Sequence, residues 1–200
     1  MDEKLSKEQI QRRVTRALER LIDLDDYLLE HNVYEISITH KLAEYLQQEF
    51  PYWTVDCEYD KNYKEEVLTN GPKKQYVLKQ INDCRENSHS EASIYPDIII
   101  HHRGTKENLL IIEVKKALRG KTKEKLNITE LSNEYKTTVK KLGDIYKLGE
   151  YKREIGYEHI LFIELWVNKK DTKKEYDNLI KNGEKPYELY FNDDILSDKI

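Results

Sequence analysis

Pro96-Asp97-Ile98-Ile99-Ile100 and Leu109-Leu110-Ile111-Ile112-Glu113-Val114-Lys115 are the two stretches that decide the fold. Gly104-Thr105-Lys106-Glu107-Asn108, between them, is polar and contains glycine, the pattern of a hairpin loop of about five residues. With Arg103 facing Leu109, Asp97 lies opposite Lys115 and Ile99 opposite Glu113. Side chains alternate faces along a strand, so Asp97, Glu113 and Lys115 share one face. A slip of one residue would break that constellation.

Buried strands do not carry such charges without a reason. Two carboxylates about 4 Å apart repel by roughly 4 kcal/mol at an effective dielectric near 20, so a dry face holding both favours a shared proton or a cation. A few oxygen ligands, with room for water and a phosphate, suit Mg²⁺ or Mn²⁺ rather than zinc. The Lys115 ammonium can hold a water or stabilise charge building up on a phosphate oxygen.

Pro96-Asp97 followed sixteen residues later by Glu113-Val114-Lys115 resembles the core motif of the PD-(D/E)XK superfamily, the restriction-endonuclease-like nucleases. A helix and a strand precede the hairpin and a helix and a strand follow it, the order that superfamily uses. The resemblance covers most of residues 33–166, and Glu35-Ile-Ser-Ile-Thr-His-Lys-Leu-Ala-Glu-Tyr-Leu is similar to the first helix of small bacterial members. It implies an α/β fold with a central mixed β-sheet flanked by helices. It also implies a Mg²⁺-dependent phosphodiesterase, with Mn²⁺ substituting, that hydrolyses DNA and leaves a 5′-phosphate. In it Asp97, Glu113, the Val114 carbonyl and Glu35 hold the metal, and Lys115 orients the attacking hydroxide.

The superfamily often takes a further acid from its first helix, and two glutamates compete here. At about 100° per residue, Ile38, Leu42, Leu46 and Phe50 gather on one side with Glu35 in its middle, while Glu44 points away. Glu35 is therefore the candidate third carboxylate. Asn32, three residues earlier, also reads as a helix N-cap with Glu35 returning to it, and the two roles are compatible.

Composition fits one intracellular enzyme domain over residues 1–200. Such a length buries about 70% of the unfolded surface in a single core, and charged residues make up 36% of the chain. No signal peptide and no long apolar run is read, so a soluble cytoplasmic protein without membrane partners is expected. Cys57 and Cys84 have no metal-ligand spacing and read as reduced thiols, Cys57 facing inward. A net charge of −4 speaks against bulk coating of nucleic acid but not against a nuclease, whose metal-holding acids count as negative. Lys115-Lys116, Arg119, Lys121, Lys123 and Lys125 form a basic run beside the motif. Phosphate contact, with Lys116 binding substrate, competes there with a solvated loop. Among the fifteen tyrosines some can stack on bases, though most read as core or surface filler.

Outside the motif, Ile10, Val14, Ala17, Leu18, Leu21, Ile22, Leu24 and Leu28 recur at helical spacing, predicting an amphipathic helix over 5–30. It is read as an N-terminal extension (1–31), a packing or homodimer element lying before the core. A helix over 33–50 stopped by Pro51, a half-buried strand through Trp53, Val55 and Cys57, and a loop-rich insertion over 60–92 with a short helix near 77–81 follow. After the hairpin come a polar stretch at 120–127 and a helical region to Tyr151. Its Asp144, Lys147 and Tyr151 share one face. The resemblance makes Lys147 a substrate contact; an exposed helix face is the plainer account. Ile160 to Trp166 reads as a strand parallel to the second hairpin strand. A helix through Leu179 and a short strand at Tyr187 to Phe191 complete residues 167–200. His101 and His102 fall on opposite faces at a strand end without zinc-like spacing, and read as hairpin-end residues.

Three readings compete: a metal-dependent nuclease, a catalytically silent nuclease-fold module that binds nucleic acid or a protein, and a structural module built on the N-terminal helix.

Overall fold

The computed structural model describes residues 4–58, 96–117, 148–149, 151–153, 155–167 and 173–191. Ser6 opens the first helix: its Oγ accepts from the Gln9 amide at 3.3 Å while the Gln9 side chain accepts from the Ser6 amide at 2.7 Å. This reciprocal cap satisfies two helix-end donors and starts α1, Lys7–Glu30. Its stripe of Ile10, Val14, Ala17, Leu18, Leu21 and Leu29 is fully buried. The second helix, α2 (Glu35–Glu49), ends before Pro51 and buries Ile38, Leu42 and Leu46 against α1, with Phe50 buried just beyond it.

Five strands form one mixed sheet: β1 Thr54–Cys57, β2 Ile98–His101, β3 Asn108–Ala117, β4 His159–Trp166 and β5 Tyr187–Phe191, in that spatial order. Among the described strands β3 and β4 run parallel, as a crossover connection requires, and the other pairs are antiparallel. A further helix, α3 (Lys173–Lys181), precedes β5. Alternation along the strands divides the core in two. Ile98, Ile100, Leu110, Ile112, Val114, Leu161, Ile163 and Leu165 pack with α1 and α2, whereas Ile99, Ile111, Ile160 and Phe162 pack with Leu148, Tyr151 and Tyr157.

The hairpin register differs from the expected one. Ile98 pairs with Ile112 and Ile99 with Ile111, so one step further on Asp97 comes level with Glu113 rather than Lys115. The cause lies at the turn, which closes with the His102 amide donating to the Glu107 carbonyl at 2.9 Å and so brings Asn108 opposite His101; a bulge between Ile100 and His101 then moves the register back by one residue, leaving a net displacement of two. The Asn108 side chain is fixed there by donating to the Ile155 carbonyl at 3.2 Å. Because the displacement amounts to two residues, the face assigned to Asp97, Glu113 and Lys115 survives.

At the turn end of the sheet, Asp56 accepts from His101 Nε2 at 2.9 Å and Arg103 Nε at 2.8 Å, and also from Arg103 Nη2. His101 is buried in this cluster and His102 stacks on Trp53, so both are hairpin-end residues as expected. The Arg103 guanidinium, with smaller help from His101, holds the Asp56 carboxyl below its ordinary range. A carboxyl depressed on folding stabilises the fold above its unfolded pKa, about 3.9, and that contribution disappears as pH falls through the lower folded value. Arg103→Met should therefore flatten the dependence of the urea midpoint on pH below about 4 relative to the parent. An unchanged dependence would show that Arg103 does not set the Asp56 ionisation. Cys57 packs on the core from β1, and burial pushes its thiol up to about 11.

The insertion over 60–92 with its helix near 77–81, the stretch at 120–127, Cys84, Arg119, Asp144 and Lys147 lie outside the described residues. No helix among the described residues is long and apolar enough to cross a membrane.

Candidate active site

β3 outlasts its partner. β2 begins at Ile98, so residues 113–117 of β3 keep β4 on one flank and lack a β2 partner on the other. Pro96 has no N–H to lend to a longer ladder. Alternate N–H groups of a strand point to the same side, so those of Val114 and Lys116 face this gap. Each is met by a carboxylate: Asp97 Oδ2 accepts from the Val114 amide at 2.7 Å, and Glu35 Oε2 from the Lys116 amide at 3.1 Å. The Val114 carbonyl, on the same side of the strand as its own N–H, opens on the gap too.

Glu35 does more than close the edge. Its other oxygen, Oε1, accepts from Lys115 Nζ at 3.2 Å, with the two side chains about one-third exposed or less. The helical phase placed Glu35 correctly toward the sheet, and Glu44 is indeed exposed, paired with Lys41 at 2.8 Å. The N-cap reading of Asn32 does not hold. Tyr34 occupies the cap position without a side-chain hydrogen bond, and the Glu35 carboxylate goes across to β3 instead of back along the chain.

Glu113 is fully buried, one step along the β2–β3 register from the last ladder pair and level with Asp97. Lys116, on the opposite face from Lys115, donates to Asn32 Oδ1 at 2.9 Å and the Val33 carbonyl at 2.7 Å. The structure thus brings Glu35, Asp97, Glu113, Val114 and Lys115 to one end of the β2–β3 hairpin. It turns the Lys116 ammonium to the connection between the helices.

Two residues were not foreseen from the sequence. Lys115 pairs in register with Glu164 of β4, and Glu164 with Glu188 of β5, all on the same face of the sheet. The Tyr190 hydroxyl lies 3.1 Å from Glu164 Oε2 and 2.5 Å from Glu188 Oε2, and burial followed by the Glu188 hydrogen bond raises its pKa. A lone acid inside the apolar run Ile160 to Trp166 was the available signal, of the same kind as Glu113.

Among the described residues no three His, Cys, Asp or Glu side chains group closely enough to hold a metal ion. The candidate donors at this end of the hairpin are the Asp97 and Glu113 carboxylates and the Val114 main-chain carbonyl, all hard oxygens. That set fits Mg²⁺, which keeps several waters and takes one or two carboxylates from a protein. Glu35, with both oxygens engaged, fits better as the holder of Lys115.

No protein-family model, no curated protein and no solved structure matches the chain.

Proposed function

We propose that the protein is a divalent-metal-dependent nuclease with a restriction-endonuclease-like core, acting on DNA in the cytoplasm. The observation that carries this reading is the convergence on one β3 segment, from three separate parts of the chain, of Asp97, Glu35 and the Glu113-Val114-Lys115 motif. Structural roles alone explain the two amide caps. Beside these caps stand a fully buried acid, Glu113, level with Asp97, and a lysine, Lys115, two residues further along the same face.

In this reading Asp97, Glu113 and the Val114 carbonyl hold Mg²⁺, with Mn²⁺ as a substitute. The ion supplies Lewis-acid neutralisation of the phosphodiester and lowers the pKa of water. Lys115, steadied by Glu35, orients the attacking water and offsets charge on the phosphate oxygens. Lys147 remains a candidate substrate contact. A homodimer through α1 would use Leu24 and Tyr27, the large side chains that this helix leaves exposed.

The test is a panel of linear, circular, duplex and single-stranded DNA together with RNA, each incubated with Mg²⁺, Mn²⁺ or EDTA. Cleavage with metal that EDTA stops, and that Lys115→Ala removes from a folded protein, is the expected result. Nucleic-acid retention without cutting, indifferent to EDTA and to Lys115→Ala, would replace the enzyme with a binding module.

A further inference from the structure

We infer that Lys116 is a positioning residue that fixes Glu35 upon Lys115, rather than a contact for substrate phosphate; the catalytic part of this inference rests on the nuclease reading above. Lys116 meets the first connection of the chain twice and the first residue of α2 once. Its ammonium donates to Asn32 Oδ1 and the Val33 carbonyl, and its own amide donates to Glu35 Oε2. An ammonium has three donors, and two of them are committed to this turn.

The turn out of α1 is closed by its own backbone, the Asn32 and Val33 amides donating to the Leu29 and Leu28 carbonyls at 3.3 Å each, whereas the start of α2 has no side-chain cap. Asn32 sits in the left-handed region at φ 47°, a conformation asparagine tolerates better than most residues but which gives the helix that follows no hold. Tyr34, at the cap position of α2, makes no side-chain hydrogen bond to the helix start. The local chain therefore lacks the usual device for setting where α2 begins. Lys116 supplies one from across the sheet: by gripping Asn32 and Val33 it places Glu35, two residues beyond Val33, over the bared edge of β3. Glu35 in turn holds Lys115. Lys116 thus reaches the chemistry through Glu35 without facing the phosphate.

Lys116→Met keeps the aliphatic stem and deletes the donors. If cleavage is measured, kcat should fall by about ten- to a hundredfold, as small misplacements of a catalytic group do, while KM and its salt dependence stay put. Lys116→Arg, whose fork can serve both acceptors, should restore most of the rate. A phosphate contact would give the reverse: a higher KM, a salt slope reduced by about one, and kcat retained. That pattern would overturn the inference.

Amide hydrogen exchange decides the structural half without any activity. In Lys116→Met the amides of Lys116, Ser37 and Ile38 should exchange about tenfold faster, with those of Leu110 to Ile112 unchanged. Asn32→Ala, which removes one of the two acceptors, should give a smaller change in the same direction. Unaltered exchange at all three amides in both variants would dismiss the positioning role. A wild-type protein that cuts nothing would instead sink the nuclease reading and leave this exchange result standing.

Discussion

Asp97→Asn should leave the protein folded and lower metal-dependent cleavage by about a thousandfold, whereas Asp97→Ala should lose the same activity and also stability. The difference follows from the two tasks of one carboxylate. Oδ2 accepts from the Val114 amide at 2.7 Å where β2 has ended, so Asp97 completes the sheet edge with its side chain. An asparagine carbonyl oxygen can accept the same bond, so the edge stays closed in Asp97→Asn. Its neutral amide, however, no longer supplies the negative charge that a divalent ion needs beside Glu113. Alanine removes the acceptor as well, and an N–H left without its bond costs about 1–3 kcal/mol. Urea denaturation and cleavage assays on the two variants separate the tasks. Equal, undiminished cleavage in Asp97→Asn would remove Asp97 from the chemistry and leave it a role at the sheet edge alone.

How far the site was legible depended on which contacts the local pattern controls. The period of two along β3 put Asp97, Glu113 and Lys115 on one face even though the expected cross-strand partners were displaced, because a shift of two residues conserves side. The tighter turn that causes the shift, and the bulge beside His101 that takes one residue of it back, have no signature in Ile98-Ile99-Ile100-His101. Helical phase likewise found Glu35 from Ile38, Leu42 and Leu46, because burial of that stripe orients everything on it. It did not reveal that both Glu35 oxygens would be engaged by Lys115 and the Lys116 amide. Those donors come within reach only once α2 crosses the end of β3. Lys116 illustrates the same limit: in the sequence it is one of a run of lysines, and its partners lie more than eighty residues away. Glu164 was missed for a related reason, as its place beside Lys115 is fixed by the register of a parallel pair joined through a long connection.

Deleting residues 1–30 should abolish the folded state rather than change its oligomeric state. From the sequence this segment is expected outside the core, as an N-terminal extension with a packing or dimer role. Its apolar stripe is instead continuous with the main core, where Ile10, Val14, Leu18, Leu21 and Leu29 are fully buried among residues of α2 and of the sheet. Each such side chain contributes about 2 kcal/mol by burial, so the five together contribute about 10 kcal/mol. That is comparable to the entire stability of an ordinary domain, about 5–15 kcal/mol. Removal would also strip the cover from Leu42 and Leu46, leaving α2 with an exposed apolar face. Leu18→Ala provides the graded form of the experiment, with an expected loss of about 3–4 kcal/mol in urea denaturation. Circular dichroism and size-exclusion chromatography on the truncated chain distinguish the two outcomes. A truncated protein that keeps a cooperative unfolding transition, and merely elutes later than the full chain, would return α1 to the status of an appended dimer arm.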